Sequence, residues 1–155
     1  MQKGFITATP DSGTSGGTTV TVTASANVEG TTRTSSLTVS GGGVTRTVQI
    51  SQVGTVYSVT YNSLGTVTYY LFNSNATPAG NPSTYSAIRS GTSVKDTWSP
   101  SPGYLVNNVS SAGADTYLNV GNTIYIRKAT GSNTWDSSSP QSFTLIAGNQ
   151  TVMLN

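Results

Sequence analysis

The chain has 155 residues, 34% hydrophobic and only 8% charged, with a formal net charge of +2 and neither cysteine nor histidine. That length suits one domain or two small ones, and the cysteine count excludes disulfides and thiolate metal sites. Eight tyrosines, two tryptophans and a near-neutral charge argue for a folded, Thr-rich β protein, since disordered chains carry high net charge and few aromatic residues.

The first ten residues lack the apolar core of about 7–15 residues that a signal peptide needs. No apolar run approaches the roughly 20 residues of a membrane span. The chain is therefore expected either to stay where it is made or to have had its leader removed. Strands are predicted over 18–23, 36–39 and 44–51, where Thr19-Val20-Thr21-Val22-Thr23 alternates strictly. Alternation puts valine on a core face and threonine on the other, and the branched Cβ of threonine fits a pleated strand. Further strands are predicted over 57–61, 67–72, 117–120, 123–127, 142–146 and 151–154. Tight hairpins are predicted at 41–43, 121–122 and 148–149, each with glycine. Polar loops are expected over 73–83, 99–103 and 131–140, and loops are where binding is usually placed. No segment carries a 3.6-residue apolar period. A domain boundary is expected after Gly54, giving a first β module over 1–54 and a second over 55–155 that ends in a C-terminal hairpin.

Residues 5–54 carry a series of features in order. These are the turn from Pro10 to Gly13, a strand ending at Asn27, Arg33 before a hydrophobic strand, and the closing Gln49-Ile-Ser-Gln52-Val-Gly54. Together they resemble the BACON domain, an immunoglobulin-like module of Bacteroidetes proteins and of the phages that infect them. The resemblance covers about a third of the chain and implies part of an immunoglobulin-like β-sandwich. Such a sandwich takes about seven strands in two sheets, and the segment begins where the back half of one would begin. The missing layer is expected from residues 55–155 or from a neighbouring chain, by strand pairing at an open edge. In the second module, Tyr57-Ser-Val-Thr-Tyr61, Ser90-Gly-Thr-Ser-Val94, Pro102-Gly-Tyr104 and Asn119-Val120 resemble small β modules repeated in bacterial surface proteins.

Catalytic chemistry has little to work with. Without histidine there is no general base of the usual kind near neutral pH and no Ser-His-Asp arrangement. The five carboxylates, Asp11, Glu29, Asp96, Asp115 and Asp136, are far apart in sequence, whereas a glycosidase holds two about 5–9.5 Å apart. No close series of oxygen ligands suggests a calcium loop. Gly41-Gly42-Gly43 lies between two strands, unlike a phosphate loop. The seven basic residues are scattered, with only Arg127 and Lys128 adjacent, which gives no stripe for nucleic acid. Neither an enzyme nor a bound cofactor is expected.

Four aromatic residues in or beside loops, Trp98, Tyr104, Trp135 and Tyr85, are the candidates for a glycan-stacking platform. The competing reading has the tryptophans plugging the ends of the sandwich. The function expected is structural: a virion protein similar to the BACON-bearing proteins of crAss-like phages, as a capsid auxiliary, decoration or head-fibre protein. Its partners would be the major capsid protein or other virion proteins, with self-association by strand pairing. A carbohydrate-binding module for host glycans or mucin is the alternative, and a bacterial surface or pilus component a third.

Overall fold

A computed structural model describes residues 2–138 and 140–155; Met1, and Ser139 of the expected 131–140 loop, lie outside the described residues. The described chain is all-β, and its sheets are arranged as sandwiches of the immunoglobulin-like kind. It divides into two compact units, 1–55 and 56–155. No helix among the described residues is long and apolar enough to cross a membrane.

Unit 1 holds five strands: β1 (Gln2–Lys3), β2 (Ile6–Thr9), β3 (Thr21–Ala24), β4 (Arg33–Gly41) and β5 (Val44–Gln52). The first three form one antiparallel sheet, and β4 and β5 form a separate two-stranded ribbon. In the ribbon Leu37 faces Val48 across the ladder, Ser35 faces Ile50 and Gly41 faces Val44. Strand alternation therefore gathers the apolar side chains on one face, with Arg46 among them opposite Val39. Thr34, Ser36, Thr38 and Ser40 go to the other face with Thr45, Thr47, Gln49 and Ser51. In the sheet, Ile6 pairs with Ala24 and Ala8 with Val22. Ile6 and Ala8 are buried. The turn predicted at 41–43 joins paired strands.

Unit 2 is built around β6 (Tyr57–Phe72), 16 residues long where the sequence suggests two separate strands. Residues 57–62 and 67–70 of it pair with β7 (Ile88–Trp98), a strand the hydrophobic pattern does not reveal. The first half of β6 also pairs in parallel with β13 (Gln150–Leu154), and the second half antiparallel with β10 (Thr123–Gly131). Four strands extend these ladders. β8 (Tyr104–Asn107) bridges the end of β6 and pairs with β9 (Asp115–Leu118). β10 pairs with β11 (Thr134–Trp135) and β12 (Gln141–Thr144).

The glycine turns at 121–122 and 148–149 do not make hairpins, and the expected C-terminal hairpin is absent. β9 leaves its turn paired to β8, while β12 and β13 join different partners. Pairing β13 along β6 places Val152 and Leu154 in the main core, which a local hairpin does not require. Side chains link the two strands instead: Gln150 Nε2 donates to the Thr144 carbonyl at 2.8 Å, and Gln141 Nε2 to that of Met153.

The main core of unit 2 includes Val59, Tyr61, Tyr69, Leu71, Trp98 and Ile124. A second cluster, on Tyr70, Phe72, Tyr85 and Val109 with Trp135 packed against it, covers the opposite face of the second half of β6. Both faces of that segment are buried, so its four last residues read as a continuous apolar run rather than an alternation. Each buried side chain of this size contributes about 1.5–3 kcal/mol.

Candidate functional site

Four of the residues that carry the family resemblance, Asn27, Arg33, Gln52 and Gly54, meet at one end of unit 1. Asn27 is buried, and its amide donates to the carbonyls of Thr31, Gln52 and Val53 at 2.9, 3.2 and 3.1 Å. Arg33 reaches Gln52 Oε1 through Nε and Nη2 at 2.9 and 2.8 Å and the Ser25 carbonyl at 2.6 Å. Its guanidinium also lies 4.3 Å from the centre of the Phe5 ring, a cation–π distance. Gly54 closes the same end: a Cβ there would stand 2.4 Å from the Gly30 carbonyl carbon, so only glycine fits. This polar clamp ties the start of β4 to the end of β5.

The far end of unit 1 is open. Leu37, Val39 and Gly41 of β4 and Ala8 and Val20 line a groove of about 700 Å³ with the 10–18 loop. Val39, Val44 and Val48 remain 51%, 50% and 53% exposed, although they share the apolar face of the ribbon. Such a face between two sheet edges can accept an extended segment of another chain.

The four aromatic candidates do not share one open face. Trp98 and Tyr104 are buried in the main core with ring centroids 6.1 Å apart. Tyr85 is buried in the second cluster, edge-on to Phe72, with half-buried Trp135 at 5.7 Å. Tyr85 and Trp135 anchor the 73–83 loop: Gly80 N donates to the Tyr85 hydroxyl at 3.0 Å, and Trp135 Nε1 donates to the Gly80 carbonyl at 2.9 Å. Asn107 holds the other side of that loop. It is fully buried and has all its hydrogen-bonding capacity satisfied. Its amide donates to the carbonyls of Leu71 and Ala87, and its oxygen accepts from the backbone of Ser86 and Ala87.

A polar site that sequence reasoning missed surrounds Trp98 and Tyr104. Arg89 Nε donates to Asp96 Oδ2 at 2.7 Å, the Tyr104 hydroxyl donates to the same oxygen, and the Tyr61 and Tyr104 hydroxyls are 2.9 Å apart. Arg89 and Asp96 are seven residues apart, and a regular strand would point them to opposite faces. The exposure of β7 shows why it does not. Arg89, Gly91, Val94, Asp96 and Trp98 are its shielded positions, so the alternation slips between Gly91 and Val94. The ladder to β6 shifts register at that point, and Gly91 has φ 143°, a value open to glycine. A glycine flanked by polar residues inside a run of β-formers was the available signal.

The electrostatics follow the burial. Burial raises the pKa of Tyr61, Tyr69 and Tyr104, and the Asp96 charge pushes the same way. Burial alone would lower the pKa of Arg89, but the hydrogen bond and charge of Asp96 outweigh it and the net shift is upward. The Arg89 guanidinium therefore stays charged and the three phenols stay neutral across the physiological range.

Residues 2–53 match the BACON family model. Its description is that of a candidate binding domain, N-terminal. The match covers unit 1 and agrees with the resemblance read from residues 5–54. No curated protein and no solved structure matches the chain.

Proposed function

We propose that this chain is a non-enzymatic structural protein that attaches to a larger assembly through its BACON-type unit. The observation that carries this reading is the open end of unit 1, where the apolar face of the β4–β5 ribbon remains half exposed. A partner strand or loop laid into that groove would bury Val39, and one that continued across the ribbon face would also cover Val44 and Val48 and use free backbone groups at the strand edges. The lack of histidine and cysteine supports a role without catalysis.

The assembly we favour is the virion of a tailed phage, built in the host cytoplasm. In it the chain serves as a capsid auxiliary, decoration or head-fibre protein, and its partner is the major capsid protein or another virion protein. This finer assignment rests on the resemblance to BACON-bearing virion proteins. It requires no nucleic acid, membrane or cofactor.

Co-sedimentation of the purified chain with capsids that lack it tests the reading. Saturable binding, with new amide protection in β4 and β5, is the expected result. A chain that stays monomeric and leaves the capsids bare overturns it. Recovery from a bacterial surface fraction, with absence from purified virions, would replace the capsid with a surface fibre.

A further inference from the structure

Unit 2 carries a second candidate surface, independent of the attachment groove. We infer that it binds a neutral polyhydroxylated ligand, a saccharide, at the pocket where Arg89 and Asp96 meet Trp98 and Tyr104. The pocket is open and of about 510 Å³, within the range of roughly 300–1,000 Å³ typical of small-molecule sites. A mono- or disaccharide fits that volume.

The chemistry of the wall selects the ligand. Arg89 and Asp96 lie on the shielded side of β7 but keep 25% and 17% of their side-chain surface open. Asp96 Oδ2 is occupied by Arg89 and Tyr104, and Arg89 Nη1 by the Ile88 carbonyl. Among the described residues, Asp96 Oδ1 and Arg89 Nη2 carry no protein partner. One acceptor and one donor are thus left open on a pair whose charges cancel. A hydroxyl both donates and accepts, so neighbouring hydroxyls of a sugar satisfy the two together, by charge-assisted hydrogen bonds. A simple anion or cation would meet one matching and one opposing charge.

Two further features point the same way. The Trp98 indole N–H is buried without an acceptor, and Trp98 is in the wall of this pocket. That N–H is shut off from solvent in the free protein, so a ligand oxygen supplies its missing acceptor only with a small shift of the ring toward the pocket. The Tyr104 hydroxyl, itself bonded to that of Tyr61, holds the Asp96 carboxylate, so the site is ordered before any ligand arrives. The stacking platform expected from the sequence is replaced by a polar recognition site with aromatic walls.

A charged pair on the inner side of an edge strand also discourages edge-to-edge pairing, and the test separates the two roles. The chain has two tryptophans, so its nitrogen–proton spectrum contains two indole signals. Galactose, N-acetylgalactosamine, glucose, mannose and lactose would each be titrated into the full chain, with acetate as the anionic control. The expected result is a saturable shift of the Trp98 indole by at least one sugar, with the Trp135 indole unmoved and acetate silent. Asp96→Asn and Arg89→Lys should each weaken that sugar about tenfold or more while the Trp135 signal keeps its position. Should Asp96→Asn fail to fold, Arg89→Lys and the wild-type titration still decide. Silence of the Trp98 indole to every sugar, a response to acetate, or undiminished binding by Arg89→Lys overturns the inference.

Discussion

Unit 2 closes its sheets over Tyr61, Tyr69, Leu71 and Ile124, none more than 1% exposed, whereas unit 1 leaves Val39, Val44 and Val48 about half exposed. Both units use the same strand chemistry, with threonine and valine alternating along the ladder. They differ in what fills the space between the layers. All eight tyrosines and both tryptophans are in unit 2, and the largest fully buried side chain of unit 1 is Ile6. Sheets pack roughly 10 Å apart, and aromatic side chains, which bury about 150–250 Å² each, fill that gap readily. Alternation makes a face; closure needs volume, which unit 1 lacks at its open end. Its order depends more on the polar clamp around Asn27 and Arg33.

The largest expected effect tests this contrast directly. Leu71→Ala removes a fully buried side chain and should destabilise unit 2 by about 2–5 kcal/mol. Tryptophan fluorescence during denaturant unfolding reports it cleanly, because Trp98 and Trp135 both belong to unit 2. If the transition does not move, the closed-core description of unit 2 is wrong.

Next in size are the two buried asparagines. Asn107→Ala would strand the Leu71 and Ala87 carbonyls and the Ser86 and Ala87 amides. An unsatisfied buried group costs about 1–3 kcal/mol, so a loss of roughly 3 kcal/mol is expected in the same fluorescence assay. Asn27→Ala should instead release amide protection in β4 and β5 while the fluorescence transition stays in place. Movement of both signals would show that the units unfold as one body.

Alkaline pH should separate the units by a smaller margin. Burial raises the pKa values of Tyr61, Tyr69, Tyr70 and Tyr104 above the unfolded value near 10. The folded state therefore holds these protons more tightly than the unfolded state. Their contribution to stability is complete below about pH 10 and is lost as pH rises from there through the raised values. Unit 2 should unfold more easily above pH 10, with tyrosinate absorbance appearing together with the loss of tryptophan signal. Tyrosinate that forms gradually with fluorescence intact would show the phenols to be accessible. Unit 1 has no tyrosine and contributes nothing to this signal.

Much of the architecture was legible in the residues. The all-β class, the β4–β5 turn and the family of the first module follow from alternation, glycine placement and a few ordered motif positions. Pairing was not legible. Gly121-Asn122 and Gly148-Asn149 specify turns, but a turn does not fix which ladder the next strand joins, and Val152 and Leu154 are drawn to the β6 core instead. β7 was hidden because it is an edge strand rich in serine and threonine, and its slip at Gly91 breaks the period that pattern reading relies on. The Arg89–Asp96 pair was hidden by the same slip. Trp98, Tyr104, Tyr85 and Trp135 stand beside loops in the sequence, but sequence cannot tell a ring that caps a core from one that faces solvent.

The smallest expected change in stability carries the most weight for function. Val39, Val44 and Val48 are about half exposed on the ribbon, and exposed substitutions shift stability by no more than about 0.5 kcal/mol. Val39→Thr combined with Val48→Thr keeps β-branched side chains in both strands and should leave the unfolding curve of either unit where it was. If the groove is an attachment surface, the same double variant should lose capsid binding, because the hydroxyls would have to be buried against the partner without assured hydrogen bonds. A clear loss of stability would mean that these valines already serve an internal core. Unchanged stability with unchanged capsid binding would separate the open face from the attachment role and send the search for the contact elsewhere in the chain. Only unchanged stability with lost binding keeps both halves of the comparison: a closed unit that holds its own shape, and an open one that is completed by a partner.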